Sequence, residues 1–226
     1  MVKLIFFCYN YIRMKSICNE APAYCPNACE PFDVEYWSLV RADQDPDLKE
    51  AALGGELNLV RCPQCGTYFH HSRELIYFDA VAELLIFVFA KDTQEKQDSL
   101  RKRMERDYEI IKNTLLKQLK MDYPPILVFG LDELQERLHH WEKMVSESEV
   151  VAASCAAQGF SIVRLKPSYA REHHFPLYIP VSTTQSTTND YAVAASKVLK
   201  SGIKSTLLLN FKDRMSQEGA QLPKLA

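Results

Sequence analysis

The amino-acid sequence predicts an α+β protein in which an antiparallel β domain with a short helix precedes a long amphipathic helix and a small C-terminal α/β region. Three observations predict this fold class. Short segments between residues 32 and 89 have the patterns of strands, a charged stretch with a helical apolar period follows them, and strand and helix patterns alternate from residue 126 onward. We expect an N-terminal extension at 1–20, a β domain at 21–90, the long helix at 91–123 and the α/β and helical region at 124–226.

The predicted β domain contains five segments with strand patterns. The first alternates apolar and polar residues, as a strand with one buried face does, and the last is apolar throughout, as a fully buried strand is. The segments are 32–42, 57–61, 67–70, 75–78 and 84–89. A short helix is predicted after Asp45-Pro46-Asp47, and Gly54-Gly55 is a suitable stop for it. We expect the strand at 84–89 to close the domain.

The long helix is predicted from apolar residues that recur every three or four positions. They are Leu100, Met104, Tyr108, Ile111, Leu115 and Leu119. A stripe of this length and irregularity is typical of a face that packs on the rest of the protein, because a coiled coil needs three or four sustained heptads. Tyr123-Pro124-Pro125 ends the pattern.

The C-terminal region is predicted to alternate between strands and helices. The expected elements are a strand at 126–129, helices at 132–145 and 150–158, a strand at 161–165, an apolar segment at 176–181, a polar linker at 182–188 and helical structure at 190–215 with a break at Gly202.

Composition predicts a folded globular protein, and the pattern near residue 4 favours the cytoplasm over export. Of its 226 residues, 47% are hydrophobic and 25% charged, which is ordinary for a globular protein. The apolar run at 4–9 is far shorter than the roughly 20 residues that a membrane helix needs. Lys3 precedes this run, but Asn10 interrupts it and no signal-peptide cleavage pattern follows. We therefore expect neither membrane insertion nor secretion.

Four of the seven cysteines form two close pairs, which read CPNAC at 25–29 and CPQCG at 62–66, with 32 residues between the pairs. A tight turn can direct two thiolates at one point, and Zn²⁺ takes four such donors in a tetrahedron. Proline after the first cysteine stiffens each turn, and Gly66 permits the positive φ that turns backbone N–H groups toward the sulfurs. The sequence therefore predicts a Zn²⁺ site whose ligands are Cys25, Cys29, Cys62 and Cys65.

Three other interpretations of these cysteines remain open at this point. They could be inert buried thiols, or disulfides if the compartment is oxidising. Cys62 and Cys65 could also form a glutaredoxin-type redox pair, although the residues after Cys65 favour β structure over the helix that such a pair uses. His70 and His71 follow the second pair, and we interpret them as surface residues because neighbours in a strand point to opposite faces.

The N-terminal part resembles the CpXC family of bacterial proteins over residues 21–122. The matching stretches are Cys25-Pro26, 45–49, 55–58, 61–66 and 83–89, and the stretches 130–134, 163–165 and 169–172 are similar to the α/β region that follows the domain in that family. Cys29 departs from the family pattern, which has this cysteine one residue earlier. The resemblance implies zinc-ribbon-like metal binding in a bacterial cytosol and no known catalytic activity.

These observations favour a structural zinc-binding protein that acts as an intracellular protein-interaction module and is not an enzyme. The protein partner stays unidentified, and no oligomeric state follows from the sequence. A nucleic-acid-binding zinc ribbon is the first alternative, but residues 1–90 contain 7 Lys and Arg against 12 Asp and Glu, which makes phosphate binding unfavourable. The second alternative is an enzyme whose site lies in the C-terminal region, where the reactive residue types are Ser154, Cys155, Arg164, Arg171 and Glu172.

Overall fold

The computed structural model describes residues 15–116, 123–182 and 187–226. Three predicted features extend outside these ranges: the extension up to residue 14, the end of the long helix at 117–122 and the middle of the polar linker at 183–186. The chain is an α+β protein that divides into a first compact unit, Met1–Leu138, and a second, His139–Ala226.

The first unit contains most of the strands. In chain order they are β1 (Ile17–Ala23), β2 (Phe32–Arg41), β3 (Leu59–Arg61), β4 (Tyr68–His70), β5 (Leu75–Asp79), β6 (Leu84–Phe89) and β7 (Ile126–Phe129). Helix α1 (Pro46–Gly54) follows β2, and α2 (Gln97–Ile111) lies between a 3-10 turn at Lys91–Lys96 and a π-helical turn at Lys112–Leu116. Helix α3 (Gly130–Ala157) begins directly after β7.

Among the described residues, five strands form one mixed sheet in the order β1-β2-β5-β6-β7. The pairs β1–β2 and β5–β6 are antiparallel, whereas β2–β5 and β6–β7 are parallel, so the prediction of an antiparallel domain is wrong for this sheet. Helix α1 and the separate β3–β4 hairpin lie between β2 and β5, and α2 lies between β6 and β7. Connections of this length allow the chain to return in the same direction. Strand β6 is therefore interior and does not close the sheet as expected.

Helix α2 packs on the sheet through the apolar stripe that the sequence predicted. Leu100 and Met104 are buried in one core with aromatic and aliphatic side chains of the strands and with Tyr123. Tyr108 and Ile111 are partly buried against the same core, and the Tyr108 hydroxyl donates to the Tyr123 carbonyl at 2.7 Å. The prediction of a packing face is confirmed for these four stripe residues.

The second unit contains the rest of α3 and the elements that follow. They are β8 (Ser161–Arg164), α4 (Pro167–His173), β9 (Tyr178–Val181), α5 (Thr188–Lys200) and α6 (Thr206–Met215). Strands β8 and β9 form an antiparallel pair, and α5 packs against β9. The break expected near Gly202 is confirmed, because α5 ends before it and α6 begins after it.

Three elements differ from the prediction. Helix α3 is continuous where two helices were expected, because neither Gly nor Pro interrupts residues 146–149. Helix α4 was missed because seven residues are too few for a clear helical period. Strand β1 was missed because its sequence, ICNEAPA, is largely exposed and lacks alternation.

Within the described parts of the chain, no helix has both the length and the apolar character that crossing a membrane requires.

Asn58 attaches the β3–β4 hairpin to the main sheet. Its side-chain oxygen accepts from the Trp37 N–H at 2.7 Å, and its amide donates to the Trp37 carbonyl at 3.0 Å. Its own carbonyl accepts from the His71 N–H at 2.9 Å. The residue is only 8% exposed and has a φ of 55°. Asn58 thus satisfies backbone groups of β2 with a side chain and fixes where the hairpin lies.

We expect Asn58→Ala to lower the free energy of unfolding by about 1–3 kcal/mol, because two part-buried backbone groups of Trp37 lose their partners. Asn58→Gly distinguishes the loss of the side-chain amide from backbone strain, since glycine adopts the positive φ without strain but cannot replace the amide. Chemical denaturation is the measurement. The matched control is Asn19→Ala, which removes an exposed 2.6 Å bond to Ser38 and should cost less than about 1 kcal/mol. Equal losses in the two alanine variants would contradict this role of Asn58.

Candidate metal centre

The first cysteine pair lies in the loop of the β1–β2 hairpin. The hairpin register ends at Ala23 opposite Phe32, so Cys25 and Cys29 lie in the connection. The Ala28 N–H donates to the Cys25 carbonyl at 3.0 Å, and Ala28 has a φ of 54°. The additional residue of this turn is therefore accommodated by an alanine in the left-handed region, which non-glycine residues seldom adopt.

The second cysteine pair lies in the loop of the β3–β4 hairpin. Arg61 pairs with Tyr68, and the Cys62 N–H donates to the Thr67 carbonyl at 2.9 Å. The Gly66 N–H donates to the Cys62 carbonyl at 2.9 Å, and Gly66 has a φ of 74°, which confirms the positive φ predicted there. Strand β4 follows this turn, so Cys62 and Cys65 lack the following helix that lowers thiol pKa values in redox pairs.

The two loops bring the four cysteine sulfurs together. The Sγ atoms of Cys25, Cys29, Cys62 and Cys65 all lie within 4.8 Å of one another, and no other group of three or more metal-binding side chains occurs in the described residues. Cys25 Sγ and Cys65 Sγ are 3.6 Å apart. A tetrahedral site with Zn–S bonds of about 2.3 Å has sulfurs about 3.8 Å apart. The sulfur positions therefore fit a four-thiolate metal site, and all four cysteines are free thiols.

Side chains from each loop bind the other loop. The Asn27 amide donates to Cys65 Sγ at 3.5 Å and to Thr67 Oγ1 at 2.8 Å, while the Asn27 N–H donates to Cys25 Sγ at 3.4 Å. In the opposite direction, the Gln64 side chain accepts from the Glu30 N–H at 3.3 Å and donates to the Glu30 carbonyl at 3.4 Å. The loops are thus joined by protein contacts as well as by the converging thiols.

The surroundings of Cys25, Cys29 and Cys65 shift the acidity of these three thiols in different directions. Hydrogen bonds from the side chain and backbone of Thr67, and then from Asn27, lower the pKa of Cys65 to about 5. The hydrogen bond of Cys29 with Cys65, together with burial, raises the pKa of Cys29 to about 12. Burial also raises the pKa of Cys25. At neutral pH the metal-free cluster therefore holds a thiolate at Cys65 and protons on Cys25 and Cys29.

The neighbouring histidines lie outside this cluster. His70 Nε2 is 2.8 Å from the Gly55 carbonyl, and His71 packs edge-on against Tyr36 with 5.1 Å between ring centroids. His71 is only 7% exposed, so the interpretation of both histidines as surface residues is wrong for His71. Its burial, followed by the charge of Arg73, lowers its pKa.

The two other cysteines among the described residues, and the reactive residue types of the second unit, are spread over several elements. Cys18 is exposed on β1, and Cys155 is buried in α3, where burial raises its pKa to about 11. Arg164 is exposed on β8. The Arg171 guanidinium lies over the Trp141 ring at 4.9 Å.

The fold and the cysteine loops define a class of α+β protein in which two hairpin loops present four thiols to one point. A family model described as CpXC protein matches residues 23–152, which is more than half of the chain. The chain belongs to the CpXC family, and the resemblance noted in the sequence is confirmed. The match extends beyond the resembling stretch to include β7 and most of α3. No curated protein and no solved structure matches the chain.

Sequence analysis did not identify the residues that support the cluster. Asn27 and Gln64 occupy the spacer positions of the two cysteine turns, and Thr67 follows the second turn. The sequence feature that could have identified them is a polar side chain within or just after each cysteine turn, because such a side chain can donate a hydrogen bond to a thiolate. Which loop each one reaches follows only from the arrangement of the hairpins.

We expect metal binding to release at least two protons per chain at pH 7, because Cys25 and Cys29 must lose theirs while Cys65 is already ionised. Affinity should therefore rise with pH, by about 100-fold per unit for two protons. Calorimetry of Zn²⁺ binding in buffers of different ionisation enthalpy measures the proton count. Binding with no proton release near pH 7 would contradict these acidities.

Proposed function

We propose that this protein is a structural zinc protein in which Cys25, Cys29, Cys62 and Cys65 bind one Zn²⁺ ion. The observation that carries this proposal is the convergence of four sulfurs within 4.8 Å at the ends of two hairpins. Thiolates are soft ligands, and a tetrahedral four-sulfur set suits zinc or iron–sulfur chemistry; paired cysteine turns on hairpins favour zinc. The proposed site is zinc-ribbon-like in that two hairpin loops supply all four cysteine ligands.

The proposed role of the ion is to stabilise the hairpins. Strands β3 and β4 have three residues each, and a two-stranded hairpin of this size is at best marginally stable alone. Structural zinc supplies roughly 10 kcal/mol or more to small folds of this kind. Four protein ligands leave no open position for water or substrate, so the role that we propose is not catalytic.

We further propose that the zinc-stabilised hairpins form a protein-interaction module in the reducing cytoplasm, where thiols remain available for zinc. Tyr24 is 69% exposed directly before Cys25, and Tyr68 is 64% exposed at the start of β4. Exposed tyrosines on rigid supports are frequent anchors of protein interfaces. The excess of acidic residues over residues 1–90 supports a protein partner over nucleic acid.

Protein purified without added metal should contain one zinc ion per chain, and native mass spectrometry measures this directly. Cys62→Ser combined with Cys65→Ser should abolish the adduct, because two remaining thiols hold zinc far more weakly. Cys18→Ser is the matched control and should keep the ion, since Cys18 lies outside the cluster. A metal-free preparation with unchanged fold and stability would overturn the structural-zinc proposal.

Replacing Tyr24 and Tyr68 together by Ser should reduce recovery of the bound partner from cytosol at least tenfold, because both interface anchors are lost. Zinc content should stay at one per chain, as neither residue ligates the ion. Val81→Ser is the control, since Val81 is 67% exposed in the turn between β5 and β6. Quantitative pull-down compares the variants. Equal recovery of the partner with the wild type, the double tyrosine variant and Val81→Ser would exclude Tyr24 and Tyr68 as parts of the interface.

A further inference from the structure

The four cysteine residues of the candidate metal centre differ in their exposure to solvent. Cys62 and Cys25 are 1% and 7% exposed, and Cys29 is half-buried, whereas Cys65 is exposed. A reagent in solution therefore reaches Cys65 most readily, the half-buried Cys29 less readily, and the buried Cys25 and Cys62 least. This asymmetry separates Cys65 from the other three cysteines.

We propose that Cys65 is a site of oxidative modification, at which a peroxide joins Cys65 to Cys25 as a disulfide and the zinc ion is released. This inference rests on the proposed zinc site. It assigns to the centre a reversible response to oxidants in addition to a structural role.

The proposed chemistry consists of two steps at sulfur. The Cys65 thiolate attacks one oxygen of the peroxide; the O–O bond breaks, a sulfenic acid forms and the other oxygen leaves as water after taking a proton. The Cys25 thiolate then attacks the Cys65 sulfur, the S–S bond forms and the hydroxyl leaves as a second water after protonation. Two thiolates are oxidised, one peroxide is reduced and zinc stays Zn²⁺. The ion retains only two thiolates and dissociates.

The geometry favours Cys25 as the residue that completes the disulfide. Its sulfur lies 3.6 Å from that of Cys65, and Asn27 donates to both sulfurs through its N–H and its amide. Gln64 separately holds the first loop through both backbone groups of Glu30. These contacts do not involve the metal, so they keep the two sulfurs adjacent during the second step.

The disulfide would connect residues 25 and 65, one from each hairpin loop. The oxidised protein therefore keeps its loops covalently joined after the zinc ion has left. Removal of the ion by a chelator, in contrast, leaves only the hydrogen bonds between the loops. The metal-free protein therefore has two forms, and the oxidised form with the disulfide is more stable than the reduced form produced by a chelator.

The experiment treats the full, zinc-loaded chain with hydrogen peroxide and measures zinc release with a chromogenic chelator. Disulfides are mapped by mass spectrometry of peptides prepared without reductant. We expect one zinc ion released per Cys25–Cys65 disulfide, with full reloading after reductant and zinc are added. The oxidised form should resist proteolysis between residues 25 and 70 at least tenfold longer than the chelated, reduced form.

Histidine variants keep a zinc-binding ligand set while removing single thiols, because three cysteines and one histidine are an established structural set. Cys65→His should slow peroxide-driven zinc release at least tenfold. Cys29→His is the matched comparison and should release zinc at least tenfold faster than Cys65→His, since it retains both reacting thiols. Zinc content before oxidation checks that each variant forms the site.

The outcomes separate this inference from the proposed function. Reduced protein that carries no zinc would overturn both. Zinc-loaded wild-type protein that keeps its ion under peroxide, releases it without a disulfide, or joins Cys65 to Cys62 would overturn the inference alone. Equal rates of zinc release in the two histidine variants would likewise show that Cys65 is not the thiolate that reacts with the peroxide.

Discussion

The first unit depends on how its two cysteine loops accommodate four thiols that repel one another when they are ionised. Four thiol groups lie within 4.8 Å, a distance at which their ionised forms repel strongly. Hydrogen bonds from Thr67 and Asn27 lower the pKa of Cys65, whereas burial raises the pKa of Cys25 and the hydrogen bond with Cys65 raises the pKa of Cys29, so these sulfurs are not all ionised together. A divalent cation offsets the repulsion among ionised sulfurs, which is the electrostatic reason that such a cluster suits a metal.

The supporting contacts explain how short hairpins can present the thiols accurately. Asn58 fixes the β3–β4 hairpin on β2, while Asn27 and Gln64 connect the two loops directly. Each of these residues is an amide, which can donate and accept at the same time. A neutral donor near thiolates also adds no net charge, so the total charge of an occupied centre is set by the ion and the four sulfurs.

The sequence contained enough information to predict that these four cysteines come together, because the pairs at 25–29 and 62–66 are local patterns with a direct chemical meaning. It also predicted the packing face of α2, since Leu100 and Met104 follow the helical period. Strand direction could not be obtained in this way. Whether β2 pairs in parallel with β5 depends on contacts between residues far apart in the chain, and an exposed edge strand such as β1 has no hydrophobic period to detect.

The parallel pairing of β2 with β5 has a consequence for the order of folding. Leu39 is paired with Ile76, and the second cysteine loop lies in the connection between these strands. Closing that connection costs chain entropy, which must be overcome before the two loops can meet. Each loop alone presents two thiols, and the assembled sheet brings the two pairs to one point, which raises their effective concentration. In the proposed zinc protein, an ion that requires all four sulfurs would be acquired late, after the β2–β5 register has formed, and its retention would mark the chains whose sheet has assembled correctly.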